Sequence, residues 1–284
     1  MTKKYELCED HTISFADGTK LYQVRALKDF GKVSTGDLGG YIESEENLSQ
    51  AGHAWVYDKA RVSGKARVSG DAEVFEEARV YGHAEVYDKA WVSGNAQVDG
   101  RARVYGRAQV SENAWVYGHT EVYGKARVYG NARLSDTAQV YDTARVSERA
   151  QVYDKARVYD TAKVYGDAQV SGNAWVYGHT EVYCKAQVYD TAKVYDTAKV
   201  YGDAWVFGRA EVSGNAWVYG NAQVSGGAKV SGRAEVYGNA WVYGRAQVSG
   251  DAKVDGRAEV YGNAWVYGNA WVSGSARLYD GNQI

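Results

Sequence analysis

From residue 54 to residue 278 the chain repeats every six residues. Alanine holds every sixth place from Ala54 to Ala276, apart from Thr120 and Thr180, and valine every sixth place from Val56, with leucine at 134 and 278. The run comprises 38 copies of A-x-V-[Y/S]-[G/D]-x without an insertion or deletion. Alanine and valine lie two apart, so in an extended segment they share one face, which points inward. The residue between them is Arg, Lys, Gln, Glu or Trp and points outward. The pattern predicts one very short strand per repeat followed by a three-residue corner. The second corner place is Gly, Asp or Glu everywhere except Cys184, and Gly and Asp are residues that tolerate tight turns. The five corner threonines at 137, 143, 161, 191 and 197 all follow aspartate, which suggests two corner chemistries. Valine favours extended backbone through its β-branch, and alanine suits the narrow space beside a corner.

Residues 1–53 do not repeat. Segments 5–8 and 12–15 have strand character, LYQVRAL at 21–27 alternates like a half-buried strand, and the Asp-Gly turn in ADGT at 16–19 joins 12–15 to 21–27 as a hairpin. A solenoid exposes an apolar cross-section at each end, so residues 1–53 are expected to be a β cap, 54–281 the repeat body and 282–284 a tail. The stretch after Leu278 is too short for a helix or domain over the last coil; either Ile284 folds back there or a second copy of the chain covers the end, and the second copy is the expectation.

The repeats resemble the superfamily whose prototype is UDP-N-acetylglucosamine O-acyltransferase, with an aliphatic residue and a small residue four places later, as in Val56 and Ala60, Val62 and Ala66, through Val272 and Ala276. LYQVRALKDFGKVSTGDLGGYIESEENLS, running into the first repeats, is similar to the start of bacterial and phage-encoded hexapeptide-repeat proteins. The resemblance implies an all-β fold: a single-stranded left-handed parallel β-helix, a triangular prism in which three hexapeptides make each coil, with about 13 coils. It also implies a phage or prophage setting, interference with a host system, and frequent trimers. Acyltransferases of this kind usually have a loop interrupting the helix, a C-terminal helical region and a histidine base, and this repeat carries no interrupting loop. His119 and His179, in two copies of YGHTEVY, are the candidate bases, yet they stand where Asn, Lys and Thr stand in other repeats.

Composition narrows the classes. There are no prolines, 33 glycines, 25 tyrosines and nine tryptophans, and every tryptophan is at an outward position. A net charge of −2 gives no global attraction to duplex nucleic acid or membrane. The N-terminus has no apolar leader and no apolar run is long enough to span a bilayer, so a cytoplasmic location is expected. Cys8 and Cys184 match no metal or redox spacing, and no metal or cofactor is expected.

If residues three repeats apart stack, tyrosines 87 to 195 form one corner ladder and tyrosines 165 to 237 another. Tyr123, Tyr141 and Tyr159 then lie around a corner from Arg127, Arg145 and Lys163, an arrangement able to hold a nucleotide by stacking and phosphate contact, although Glu181 interrupts the basic row and Asp142 and Asp160 lie at the same corner. Trp115, Trp175, Trp205 and Trp241 are further candidate contacts. Three functions compete: a non-catalytic scaffold that binds a host protein or itself as a dimer or trimer, a binder of nucleotide or sugar between packed prisms, and an acyltransferase. Val158→Asp, which places an unpaired charge at an inward position, is expected to cost several kcal/mol; an unchanged melting temperature would reject the inward assignment.

Overall fold

The computed structural model describes residues 3–281 and 283–284, so the tail is described only at its last two positions. The chain forms two compact units, Met1–Thr137 and Ala138–Ile284.

The first unit opens with β1 (Tyr5–Ser14), β2 (Lys20–Ala26) and β3 (Leu38–Ile42). β1 and β2 form the expected antiparallel hairpin, but β1 is one long strand rather than two segments. Its pairing shifts between Cys8 and Thr12, where the exposed Glu9, Asp10 and His11 bulge toward solvent. β2 pairs antiparallel with β3, and β3 pairs parallel with the repeat strand at Arg61–Val62. The N-terminal segment therefore prolongs one wall of the solenoid as well as closing its end. Pairing starts upstream of Ala54, with a wider register. Ile42 meets Val62 and Leu48 meets Val68, an interval two positions longer than that from Trp55 to its partner Glu73. The two additional residues fall between Leu48 and Trp55.

Polar bonds seat this first coil. The Tyr5 hydroxyl donates to Leu48 O at 2.6 Å. The buried Asn47 amide accepts from Glu43 and Ser44 N–H and donates to Gly64 O and Ala66 O, so all its bonding capacity is used. Trp55 holds an outward position but is only 1% exposed, because Tyr5 and Phe30 pack edge-on against it with ring centres at 6.1 and 5.3 Å. Lys4 is buried beside them and donates its Nζ to Ala54 O at 2.9 Å. Burial, helped by the charge of Lys28, pushes the Lys4 pKa down to about 8.

In both units every repeat contributes a two-residue strand paired in parallel with the strand three repeats on, and three strands complete a coil. The repeats thus form a parallel β-solenoid, amounting to about 13 coils. Each edge donates three backbone N–H groups to the next coil, as in Arg61 to Ala78 O, Ser63 to Val80 O and Lys65 to Gly82 O at 2.9, 3.0 and 2.7 Å. The inward alanines and valines are fully buried through almost the whole body, and each buried valine contributes about 1.5–3 kcal/mol relative to exposure.

The corners show what aspartate and threonine do there. The second corner residue has positive φ in every repeat from Asp58 to Gly274, so this is the place that enters the left-handed region. At most of the corners where it is Asp or Glu, its carboxylate accepts the N–H of the equivalent corner one coil further on. Asp160 Oδ2 accepts from Gly178 N at 3.0 Å, and Thr161 Oγ1 donates to Gly178 O at 2.9 Å. Asp190 with Thr191 grips Gly208, and Asp196 with Thr197 grips Gly214, in the same way. The Asp-Thr pair therefore clamps both polar groups of the next corner, which offsets the strain of a non-glycine residue in the left-handed region.

In the second unit the solenoid continues to Leu278, and Gln283 then pairs with Trp265 while Ile284 exchanges backbone bonds with Trp265 and Tyr267. The last coil is open: Ala276 is exposed and Trp271 is 65% exposed.

The two threonines that replace core alanines differ. Thr120 donates its hydroxyl to Tyr117 O at 3.1 Å, whereas the fully buried Thr180 hydroxyl has no partner among the described residues. A buried unsatisfied hydroxyl costs about 1–3 kcal/mol. Thr180→Ala is therefore expected to stabilise the protein by about 1 kcal/mol after the lost methyl contact is counted, with Thr120→Ala neutral or destabilising. Denaturant titration of both variants checks this; a lower midpoint for Thr180→Ala would reject it.

Candidate partner-binding surface

The outward residues of the second unit form three columns, one per wall. The first runs Gln139, Arg157, Trp175, Lys193, Glu211, Lys229, Gln247, Trp265. The second runs Arg145, Lys163, Glu181, Lys199, Trp217, Glu235, Lys253, Trp271. The third runs Gln151, Gln169, Gln187, Trp205, Gln223, Trp241, Glu259, Arg277.

Several charged neighbours in these columns pair with one another, although Arg145 and Lys163 are like charges in register. Glu181 lies 2.9 Å from Lys163 and 3.4 Å from Lys199, and the Lys163 bond holds its carboxyl below the usual range. Lys229 meets Glu211 and Lys253 meets Glu235, each at 3.3 Å. Trp175 is flanked in its column by Arg157 and Lys193, which stand 5.4 and 5.3 Å from its ring centre. The third wall is different. From Gln151 through Trp241 its outward positions carry no charge, and Trp205 and Trp241 are 39% and 47% exposed. Tyr189 and Phe207 border this wall, stacked at 5.0 Å, and Tyr189 also meets the Trp205 edge at 6.5 Å.

The tyrosine ladders form as expected within each unit. Tyr87, Tyr105 and Tyr123 stack in the first, with ring centres 4.9 and 5.0 Å apart. Tyr141, Tyr159, Tyr177 and Tyr195 stack in the second at 4.8–5.1 Å, and Tyr165, Tyr183, Tyr201, Tyr219 and Tyr237 at 4.9 Å. The spacing is that of neighbouring strands, so the backbone sets it. Each ring lies beside the outward residue of its own edge one coil on: the Tyr153 hydroxyl meets Gln169 at 3.3 Å and that of Tyr219 meets Glu235 at 2.9 Å.

The residues singled out from sequence separate in space. Tyr123, Arg127 and Trp115 belong to the first unit, where Trp115 is half-buried against Tyr117 with ring centres 4.6 Å apart. In the second unit Tyr141 stacks on Tyr159, and Arg145 pairs in register with Lys163, which turns to Glu181. Trp205 and Trp241 share the uncharged wall. His119 and His179 are exposed corner residues, His179 Nδ1 lying 2.5 Å from Thr161 Oγ1. Two features went unnoticed in sequence. One is the uncharged column, visible as Gln, Gln, Gln, Trp, Gln, Trp when every third repeat is read. The other is the direct register pairing of Arg61 with Arg79 in the first unit.

Burial, reinforced by neighbouring tyrosines or carboxylates, pushes the pKa of Tyr105, Tyr159 and Tyr165 up to about 12, from 10.0 for a free side chain. Above pH 10 the unfolded chain loses tyrosine protons that the folded chain keeps, so stability present below pH 10 is lost as pH rises toward 12. The melting temperature is expected to fall across this range, with a shallower slope for Tyr159→Phe; a slope unchanged in that variant would remove Tyr159 from the effect.

The family model of the YdcK β-solenoid repeat matches residues 258–280. Over 67 residues the chain is 39% identical to the uncharacterized acetyltransferase YdcK of Escherichia coli (strain K12). The match covers 22% of this chain and 21% of that protein, so it spans about a fifth of the relative's length. The chain is thus similar, over part of its repeat region, to a YdcK-type β-solenoid.

Proposed function

We propose that this protein is a non-catalytic solenoid scaffold that binds a protein partner through the uncharged wall from Gln151 to Trp241. The observation that carries the reading is the charge-free column with two exposed indoles, bordered by Tyr189 and Phe207. Protein interfaces are depleted of charge at their centres and enriched in tryptophan and tyrosine, and exposed indoles on a rigid backbone bind with little loss of side-chain freedom. A second copy of the chain fits this wall, because glutamine amides both donate and accept and can pair across a two-fold axis. The resemblance of the N-terminal segment to phage-encoded proteins fits a bacterial host protein as a further partner in the host cytoplasm, where such a scaffold would interfere with a host system.

The relative named as an acetyltransferase favours a second reading, acyl transfer. Against it, His119 and His179 occupy exposed corner places that threonine and asparagine fill in other repeats.

Gln223 lies between Trp205 and Trp241, and lysine is an ordinary outward residue of this repeat. Gln223→Lys is expected to leave the melting temperature unchanged and to weaken self-association at least tenfold in sedimentation velocity. Gln247→Lys, on another wall, is the control. A wild-type monomer of 31.2 kDa at micromolar concentration would reject the second copy as partner. Transfer of acetyl from acetyl-coenzyme A, lost on replacing His119 or His179, would overturn the non-catalytic reading.

A further inference from the structure

Several outward charges along the solenoid attract their neighbours in register. Arg103 stands between Glu85 at 3.6 Å and Glu121 at 3.5 Å, and Arg277 meets Glu259 at 3.4 Å. Arg61 and Arg79 in the first unit are instead like charges in register, as Arg145 and Lys163 are in the second. The two arginines are direct register partners on adjacent strands, and the next residues in their column are Tyr41 and Gln97. Among the described residues neither guanidinium has a carboxylate within ion-pair distance. Like charges directly opposite each other on paired strands are destabilising, so this pair costs stability unless an anion bridges it.

The hairpin of β1 and β2 builds a cleft over these two arginines. Its turn places Phe15 above Arg61, with the guanidinium carbon 5.8 Å from the ring centre, and leaves the ring 39% exposed. The turn is rigid: Phe15 N donates to Thr19 O at 2.9 Å, and Asp17 Oδ1 accepts from Thr19 N at 2.9 Å. The cleft measures about 260 Å³, and Leu21, Tyr81, Thr19 and Ser63 complete its lining. Leu21 is buried, and the Tyr81 hydroxyl is engaged by Gln97 at 3.0 Å. Asp17 also lines the cleft, but one carboxylate against two guanidiniums leaves it positive.

We propose that this cleft binds a small organic anion: a phosphate or carboxylate head held by Arg61 and Arg79, joined to a single apolar ring lying against Phe15 and Leu21. Arginine binds carboxylate and phosphate groups through two parallel N–H donors. The volume fits one ring with its head group. The apolar side of the cleft selects against inorganic anions, which gain nothing from Phe15.

Thermal shift and calorimetry on the full chain test this, with phenyl phosphate, benzoate and inorganic phosphate as probes. Phenyl phosphate or benzoate, or both, should raise the melting temperature saturably, and the stronger of the two identifies the head group. Inorganic phosphate should bind at least tenfold more weakly than phenyl phosphate. Arg61→Gln and Arg79→Gln should each weaken the binding at least tenfold, and Phe15→Ser should reduce the preference for the ring. Without ligand, Arg79→Gln should melt at or above the wild-type temperature, because it relieves repulsion. Three results would each overturn the proposal: no saturable shift with either aromatic anion, binding retained in both arginine variants, or a lower melting temperature for ligand-free Arg79→Gln.

Discussion

Backbone hydrogen bonding between coils, at a fixed interval of three repeats, is the constraint on which the other features of each unit depend. Each edge gives three N–H groups to the next coil, and the two-residue strands are too short to hold any other register. One residue inserted within a strand would turn that edge's inward residues out of the core unless it looped out, as the two additional residues between Leu48 and Trp55 do. The absence of insertions over 38 repeats is the sequence expression of that penalty. The same interval places each side chain about 4.8 Å from its counterpart, which is why tyrosines stack and why an outward charge meets the charge one coil on.

The corners supply the second requirement. A residue in the left-handed region is strained unless it is glycine. The Asp-Thr corners tolerate the strain because their side chains bind the N–H and the carbonyl of the next coil. Glycine corners avoid the strain and leave those groups to backbone and water. Glu76 and Glu112 reach the same N–H acceptor position with a longer side chain, to Gly94 and Gly130. Corner composition therefore alternates between two solutions to one problem, low strain or an additional bond between coils.

The solenoid, its inward residues and its tyrosine ladders were legible in the sequence because each follows from the six-residue period or from stacking at every third repeat. The cap was legible only in outline. The wider first register depends on where Asn47 and Leu48 dock, and the burial of Trp55 depends on Tyr5 and Phe30, both far from it in sequence. No local pattern encodes contacts of that kind. Site residues were legible as a class but not as a surface. Tyr141 and Tyr159 do stack, and Glu181, which the sequence already sets in the same row, pairs with Lys163, whereas the distances that decide the pairing come only from the fold.

The distribution of tryptophan adds a constraint on any partner. In the second unit Trp205 and Trp241 lie on one wall, Trp217 and Trp271 on another, and Trp175 and Trp265 on the third. A flat partner can meet only one wall. On the third column the two indoles are two coils apart, about 10 Å at the strand spacing, with an uncharged glutamine between them. On the second they are three coils apart, about 14 Å, with Glu235 and Lys253 between. Desolvating that ion pair opposes binding there, whereas glutamine can exchange water for a partner's amide at little cost. The wall that holds Trp205 and Trp241 is therefore the one on which two aromatic anchors can be buried together without stranding a charge.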